Sequence, residues 1–167
     1  YTKLDRNIKL KVIYDMSSFI IHWICQQPTP YNDFLFSSLV SDSEIDLTVH
    51  FINPIRTSHP WQSSMAKGFT SRFYKRIFGL DWHLLSLALS NHKSFFVIGG
   101  WNEPTINSVI NLLILNKRPF AIWTDTPNLT KQRNMLKRLI RQTWLKWLFQ
   151  HATYMMSTGK PGIEALT

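Results

Sequence analysis

From Ser94 to Lys160, three short apolar runs alternate with two helical patterns, and this constrains the fold more than any other part of the chain. The runs are Phe95–Ile98, Pro119–Trp123 and Thr153–Met156. Each is bounded by turn formers, and runs of that length separated by helices predict parallel strands buried on both faces. Small or polar residues follow each run: Gly99-Gly100-Trp101-Asn102-Glu103, Thr124-Asp125-Thr126 and Ser157-Thr158-Gly159-Lys160. In an open parallel sheet, ligands bind outside the carboxyl ends of the strands. The three polar tips are therefore predicted to line one crevice, which is the candidate site.

The rest of the chain extends the same alternation. Lys9–Tyr14 predicts the first strand. Residues 19–29 are rich in aromatics and end in Pro28-Thr29-Pro30, which predicts a loop with its own apolar contacts and His22 opening onto the crevice. Thr29 with Pro30 behind it marks a helix start. That helix runs to about Val40, with Tyr31, Leu35 and Leu39 on one face, and Ser41-Asp42-Ser43 closes it. Ile45–Ile52 alternates as a second strand and stops at Asn53-Pro54. Residues 55–80 predict an irregular excursion with a short strand near Phe73–Phe78. Asp81 caps a helix through Asn91, with Leu84, Leu87 and Ala88 toward the core. The next helix starts near Asn102-Glu103-Pro104 and buries Ile106, Val109, Ile110 and Leu113; the one after it starts near Asn128–Thr130. Five or six strands alternating with helices predict an α/β fold: a three-layer αβα Rossmann-like sandwich with a mostly parallel sheet and right-handed crossovers. A further helix opens at Pro161, so the natural protein is expected to continue beyond residue 167.

Charge separates the possible partners. The formal charge is +9, and Lys131–Phe149 holds six basic residues and no acidic one. Outside that segment 13 basic residues stand against 10 acidic ones, a balance of +3. The excess belongs to one helix and favours anionic partners. Its basic residues either form a solvated face opposite a core stripe of Leu136, Ile140 and Trp147, or join Trp144, Trp147 and Phe149 against an anionic membrane surface. On the second reading Lys137, Arg138, Arg141 and Trp144 face the membrane. Nucleic acid is not expected, because no recognition module accompanies the charge. No apolar run approaches the ~18 residues of a membrane span, and the first residues do not form a secretory signal. The single cysteine, Cys25, excludes an intrachain disulfide and a cysteine-rich zinc site. The expected location is the cytoplasm, peripheral to the inner face of the plasma membrane if the basic helix docks there.

The motifs carry both structural and chemical readings. Two glycines after the first organising strand permit a sharp turn or a close approach to a ligand, and the helix start behind them favours an anion. Asn102 or Glu103 either caps that helix or contacts a ligand. Trp101 is either a sugar-stacking platform or a cover for the core. Asp125 either accepts hydrogen bonds from a hydroxyl-bearing ligand or caps the following helix. Lys160 adds a cation at the third tip. Its Gly-Lys pair is not a Walker-type phosphate loop, because Tyr154 replaces the first glycine and Pro161 the Ser/Thr. The glycine-rich dinucleotide fingerprint is absent after the first strand. None of the six histidines forms a metal pair at helical or hairpin spacing, and no serine elbow is present. Asn128-Leu129-Thr130 matches a glycosylation sequon, with nothing else suggesting secretion.

The order of motifs resembles the N-terminal domain of retaining, family 4-like glycosyltransferases with the two-Rossmann-domain GT-B architecture, among them bacterial polysaccharide and sucrose-phosphate synthases. Five segments carry the resemblance: Pro30–Phe36, Ile45–Val49, Val97–Trp101, Ile122–Thr126 before a basic helix, and Ser157–Gly162 leading into a helix. The resemblance implies that residues 1–167 form one acceptor-binding domain and that a C-terminal nucleotide-sugar domain lies outside this chain. It implies transfer of a hexose from a UDP- or GDP-sugar to a growing, lipid-linked saccharide, with retention and without an essential metal or other cofactor. It also implies acceptor contacts from Tyr31, Asn32, Trp101, Asn102, Glu103, Asp125 and Thr126. Ser157, Thr158, Gly159 and Lys160 would lie on the side of the donor phosphates, and no catalytic residue is assigned. The glycine-free tip after the first strand departs from the family pattern. The alternative to the transferase is a non-catalytic Rossmann-like binding or membrane-docking module.

Overall fold

The computed structural model describes residues 18–53, 68–73, 75–90, 93–101, 103–124 and 135–158, with the backbone alone for 135–141. It contains strands β1 (Phe19–Cys25), β2 (Ile45–Phe51), β3 (Thr70–Phe73), β4 (Phe95–Gly99), β5 (Phe120–Thr124) and β6 (Tyr154–Ser157). The helices are α1 (Pro30–Val40), α2 (Trp82–Ser90), α3 (Pro104–Leu115) and α4 (Met135–His151). The six strands form one sheet in the order β3-β2-β1-β4-β5-β6, with every pair parallel. The α/β sandwich expected from the alternation is therefore present.

The order reverses direction between β1 and β4. A right-handed crossover places its helix on opposite faces for the two directions of travel. The core divides accordingly. On one face α1 contributes Phe36 over Ile21, Trp23, Val49, Val97 and Ala121. On the other, α2, α3 and α4 contribute Leu84, Ile106, Ile110, Leu113 and Leu148 over Ile24, Phe96, Ile98 and Ile122. The interiors of β1 and β4 are buried on both faces, which is why β4 reads as a continuous apolar run.

The helix ends follow the sequence signals. Thr29 Oγ1 accepts from the Asn32 N–H at 3.2 Å, and Asp81 Oδ1 accepts from the N–H groups of His83 and Leu84 at 3.1 and 3.2 Å. At the other end of α2, the buried Arg118 guanidinium donates to the Ala88 carbonyl at 2.6 Å and the Ser94 carbonyl at 3.3 Å. It thereby supplies cationic donors where the helix has unpaired carbonyls.

Several expectations are corrected. Phe19–Cys25 is a central strand, not a loop; the predicted strand Lys9–Tyr14 lies outside the described residues. His22 is consequently buried within the sheet, and its Nδ1 lies 3.1 Å from Nε2 of His50 on β2. The two imidazoles give each other a hydrogen-bond partner inside the sheet. On α1 the buried residues are Asn32, Asp33 and Phe36, while Tyr31 is exposed and Leu35 and Leu39 are half-buried. On α2, Leu85 joins Leu84 and Ala88 in the core and Leu87 is half-buried. The short strand lies at Thr70–Phe73, and Ile77–Leu80 is a tight turn closed by Ile77 N–H to Leu80 O at 2.9 Å and Leu80 N–H to Ile77 O at 3.1 Å. Its central residues both have positive φ, 53° at Phe78 and 78° at Gly79. Glycine accepts that conformation; for a side chain like phenylalanine it costs roughly 1–2 kcal/mol. On α4, Trp144 packs half-buried against the core, while Trp147, which one of the two readings of this helix placed in the core, is exposed beside His151.

Candidate crevice at the carboxyl edge of the sheet

The reversal of strand order opens a crevice where β1 and β4 end, and this is where open α/β sheets bind ligands. Close contact at this point depends on Gly99. A Cβ there would lie 2.9 Å from the Ile24 carbonyl oxygen and 3.4 Å from Cys25 Sγ. Gly100 follows with φ 86°, a conformation suited to glycine, and its N–H donates to the Trp123 carbonyl at 3.0 Å. The tip after β1 is Gln26-Gln27-Pro28, and Gln26 stays paired to the tip of β2 through the Asn53 N–H at 2.8 Å.

On the α1 side of this edge stands an aromatic group. Trp123 of β5 lies opposite Gly99 in the strand register. The ring of Tyr31, exposed at the start of α1, is parallel to that of Trp123, with an interplanar angle of 4° and a centroid distance of 6.4 Å. Trp23 meets Trp123 edge-on at 5.7 Å, and its buried indole N–H has no hydrogen-bond partner. Asn32 is buried beneath this edge in the first turn of α1. The described residues here are chiefly aromatic rings, side-chain amides and backbone, with the buried Asp33 carboxylate beside Asn32 in the first turn of α1.

The opposite side differs. Trp101 packs half-buried on the face of α3 and α4, edge-on to Phe149 at 6.0 Å, and its indole N–H is likewise buried without a partner. Glu103 occupies the N-cap position of α3, but its side chain makes no cap hydrogen bond. Its carboxylate instead accepts from Arg76 Nη1 at 3.2 Å, and the same guanidinium donates to Asn53 Oδ1. Arg76 thus bridges the end of β2 and the start of α3 across the end of β1. Ser157 Oγ at the tip of β6 is buried with no partner, and Thr158 beside it is half-buried.

The residues expected to hold an acceptor therefore divide between two sides: Tyr31 and Asn32 with α1, Trp101 and Glu103 with α3. Asn102, Asp125, Thr126, Gly159 and Lys160 lie outside the described residues, as do the side chains of Lys137, Arg138 and Arg141. Trp123, Gln26 and Arg76 were not expected. Trp123 was legible only as the last apolar residue of a strand, and Arg76 lay in the stretch with no clear period. Among the described residues there is no cluster of three metal-ligating side chains, and no helix is long and apolar enough to cross a membrane.

Strand order and edge geometry define a doubly wound parallel α/β domain with aromatic rings at its switch point. Comparison with protein-family models, curated proteins and solved structures returned no match for this chain.

Proposed function

We propose that the protein is the acceptor-binding part of a retaining glycosyltransferase that moves a hexose from a nucleotide sugar to a lipid-linked saccharide. The observation that carries this reading is the Tyr31–Trp123 ring pair beside Gly99 at the switch point. A pyranose presents an apolar face to aromatic rings and hydroxyls to amides and backbone groups, and this side of the crevice offers both. The order of the motifs from Pro30 to Gly162 supports the same reading. In it, Asp125 receives an acceptor hydroxyl, and Ser157, Thr158 and Lys160 face the donor phosphates. Electrostatic stabilisation of the departing diphosphate supplies much of the rate, and no metal is required. Membrane attachment brings a lipid-linked acceptor to the crevice.

Ligand-observed NMR with UDP, GDP, UDP-glucose and short saccharides tests the proposal. Saccharide or nucleotide-sugar contact that is lost in Tyr31→Ala and Asp125→Ala is the expected result. No contact with any of these ligands would refute it.

A further inference from the structure

We infer that the tight turn Ile77–Leu80, together with Trp82 at the start of α2, is a membrane-inserting knob for an anionic lipid surface. Within six consecutive positions, Ile77 is 53% exposed, Phe78 95% and Trp82 54%. Single exposed apolar residues are ordinary, but three at a turn tip form a patch. Phe78 is the most exposed of the large apolar residues among those described, and its φ of 53° is one that glycine or asparagine adopts far more readily. A bulky ring that strains the backbone and buries no surface of its own contributes nothing to folding. It is left available to a partner.

The shape and charge of the patch favour a bilayer. The apolar side chains project from a convex tip, which a fluid interface accommodates without a complementary pocket. Tryptophan suits the boundary between headgroups and chains. Arg72 and Lys75 are exposed close by, and the one acidic residue described between 68 and 90, Asp81, is buried as the cap of α2. Apart from the Arg76–Glu103 ion pair, the charges this segment offers to solvent are thus basic, which complements anionic headgroups.

The knob is held firmly. Thr105 of α3 accepts from the Asp81 N–H at 3.2 Å and donates its hydroxyl to the Gly79 carbonyl at 3.5 Å. The turn is therefore tied to the same sheet edge as the crevice, and Arg76, which precedes it, bridges toward the end of β4 through Glu103. If the transferase reading holds, the knob brings the lipid end of the acceptor next to the crevice. Lipid binding itself does not depend on that reading.

Flotation of the protein with phosphatidylcholine vesicles, with and without phosphatidylglycerol, tests the inference. Phe78→Asn fits the left-handed turn, so the fold should be kept or slightly stabilised. Combined with Ile77→Ser it is expected to weaken binding to the anionic vesicles about tenfold or more. The control Leu115→Ser, which removes an exposed apolar residue from the opposite edge, should bind as the wild type does. In the wild type, Trp82 fluorescence should shift to the blue on binding, measured against Trp82→Phe. Unchanged affinity in the double variant, an equal loss in the control, or no vesicle binding by the wild type would each overturn it. Vesicle binding without any saccharide contact would leave the knob standing and remove the transferase reading; saccharide contact without vesicle binding would do the reverse.

Discussion

Replacing His22 and His50 together by leucine should make the protein far less sensitive to acid. The two imidazoles are 7% and 1% exposed, and their facing nitrogens are 3.1 Å apart, so one donates and the other accepts. A second proton would set two donors against each other. Burial lowers the His22 pKa to about 4, an effect that Asp46 partly opposes and that Arg118 and Arg72 reinforce. Burial also lowers His50 to about 3, followed by the charges of His22, Arg72 and His83. The unfolded chain takes up protons near 6.5, and the folded protein does not until well below that. Stability is therefore complete above pH 6.5, falls as pH drops, and levels off only below the folded-state values. At pH 4.5 each histidine lies about two units below its unfolded pKa, worth about 2.7 kcal/mol at about 1.36 per unit. The pair together gives a ceiling of about 5 kcal/mol, comparable with the whole stability of a marginal domain. Urea unfolding followed by circular dichroism at pH 7.5 and 4.5 measures it. The wild type should lose most of that amount between the two pH values. The double leucine variant should lose little between the two pH values, because neither leucine takes up a proton. A drop in the double variant equal to that of the wild type would refute the argument.

Two further substitutions test the packing of the sheet. Gly99→Ala should cost about 1–3 kcal/mol, because its Cβ would lie 2.9 Å from a backbone oxygen that the strand ladder holds in place; unchanged urea stability would show that β1 and β4 can separate freely. Arg118→Met keeps the volume but removes the donors to Ala88 and Ser94. It should cost about 3 kcal/mol, and amide exchange should rise first at the end of α2; a uniform rise across the sheet would contradict the capping role.

Where local signals were strong, the elements were legible in the sequence. Thr29 with Pro30, Asp81, and the run Ile106, Val109, Ile110 and Leu113 each fixed a helix through capping or period, and β4 and β5 stood out as apolar runs between turn formers. The central strand β1 did not, because its aromatics and its Pro28-Thr29-Pro30 end pointed to a loop, and its buried His22 finds a hydrogen-bonding partner only in His50, 28 positions away. Long-range pairing of that kind leaves no mark within a local window. The crevice was legible as a place, since strand tips in a parallel sheet share one edge. Its composition was not. Trp123 joins Tyr31 through the register of β5 against β4, and the Glu103 side chain, at the N-cap of α3, pairs with Arg76 from a stretch without clear period instead of capping the helix. Which of Trp144 and Trp147 packs inward was not legible, because apolar residues run around much of α4 and the sheet beneath it selects Trp144 and Leu148.

Amide chemical-shift mapping of the protein during titration with short saccharides tests the central claim most directly, since it reports where a sugar touches the fold. Perturbations gathered at Tyr31, Asn32, Gly99, Gly100 and Trp123 would agree with the account. Perturbations at the amino edge, around Phe19, Phe95 and Tyr154, or none at saturating saccharide, would contradict it.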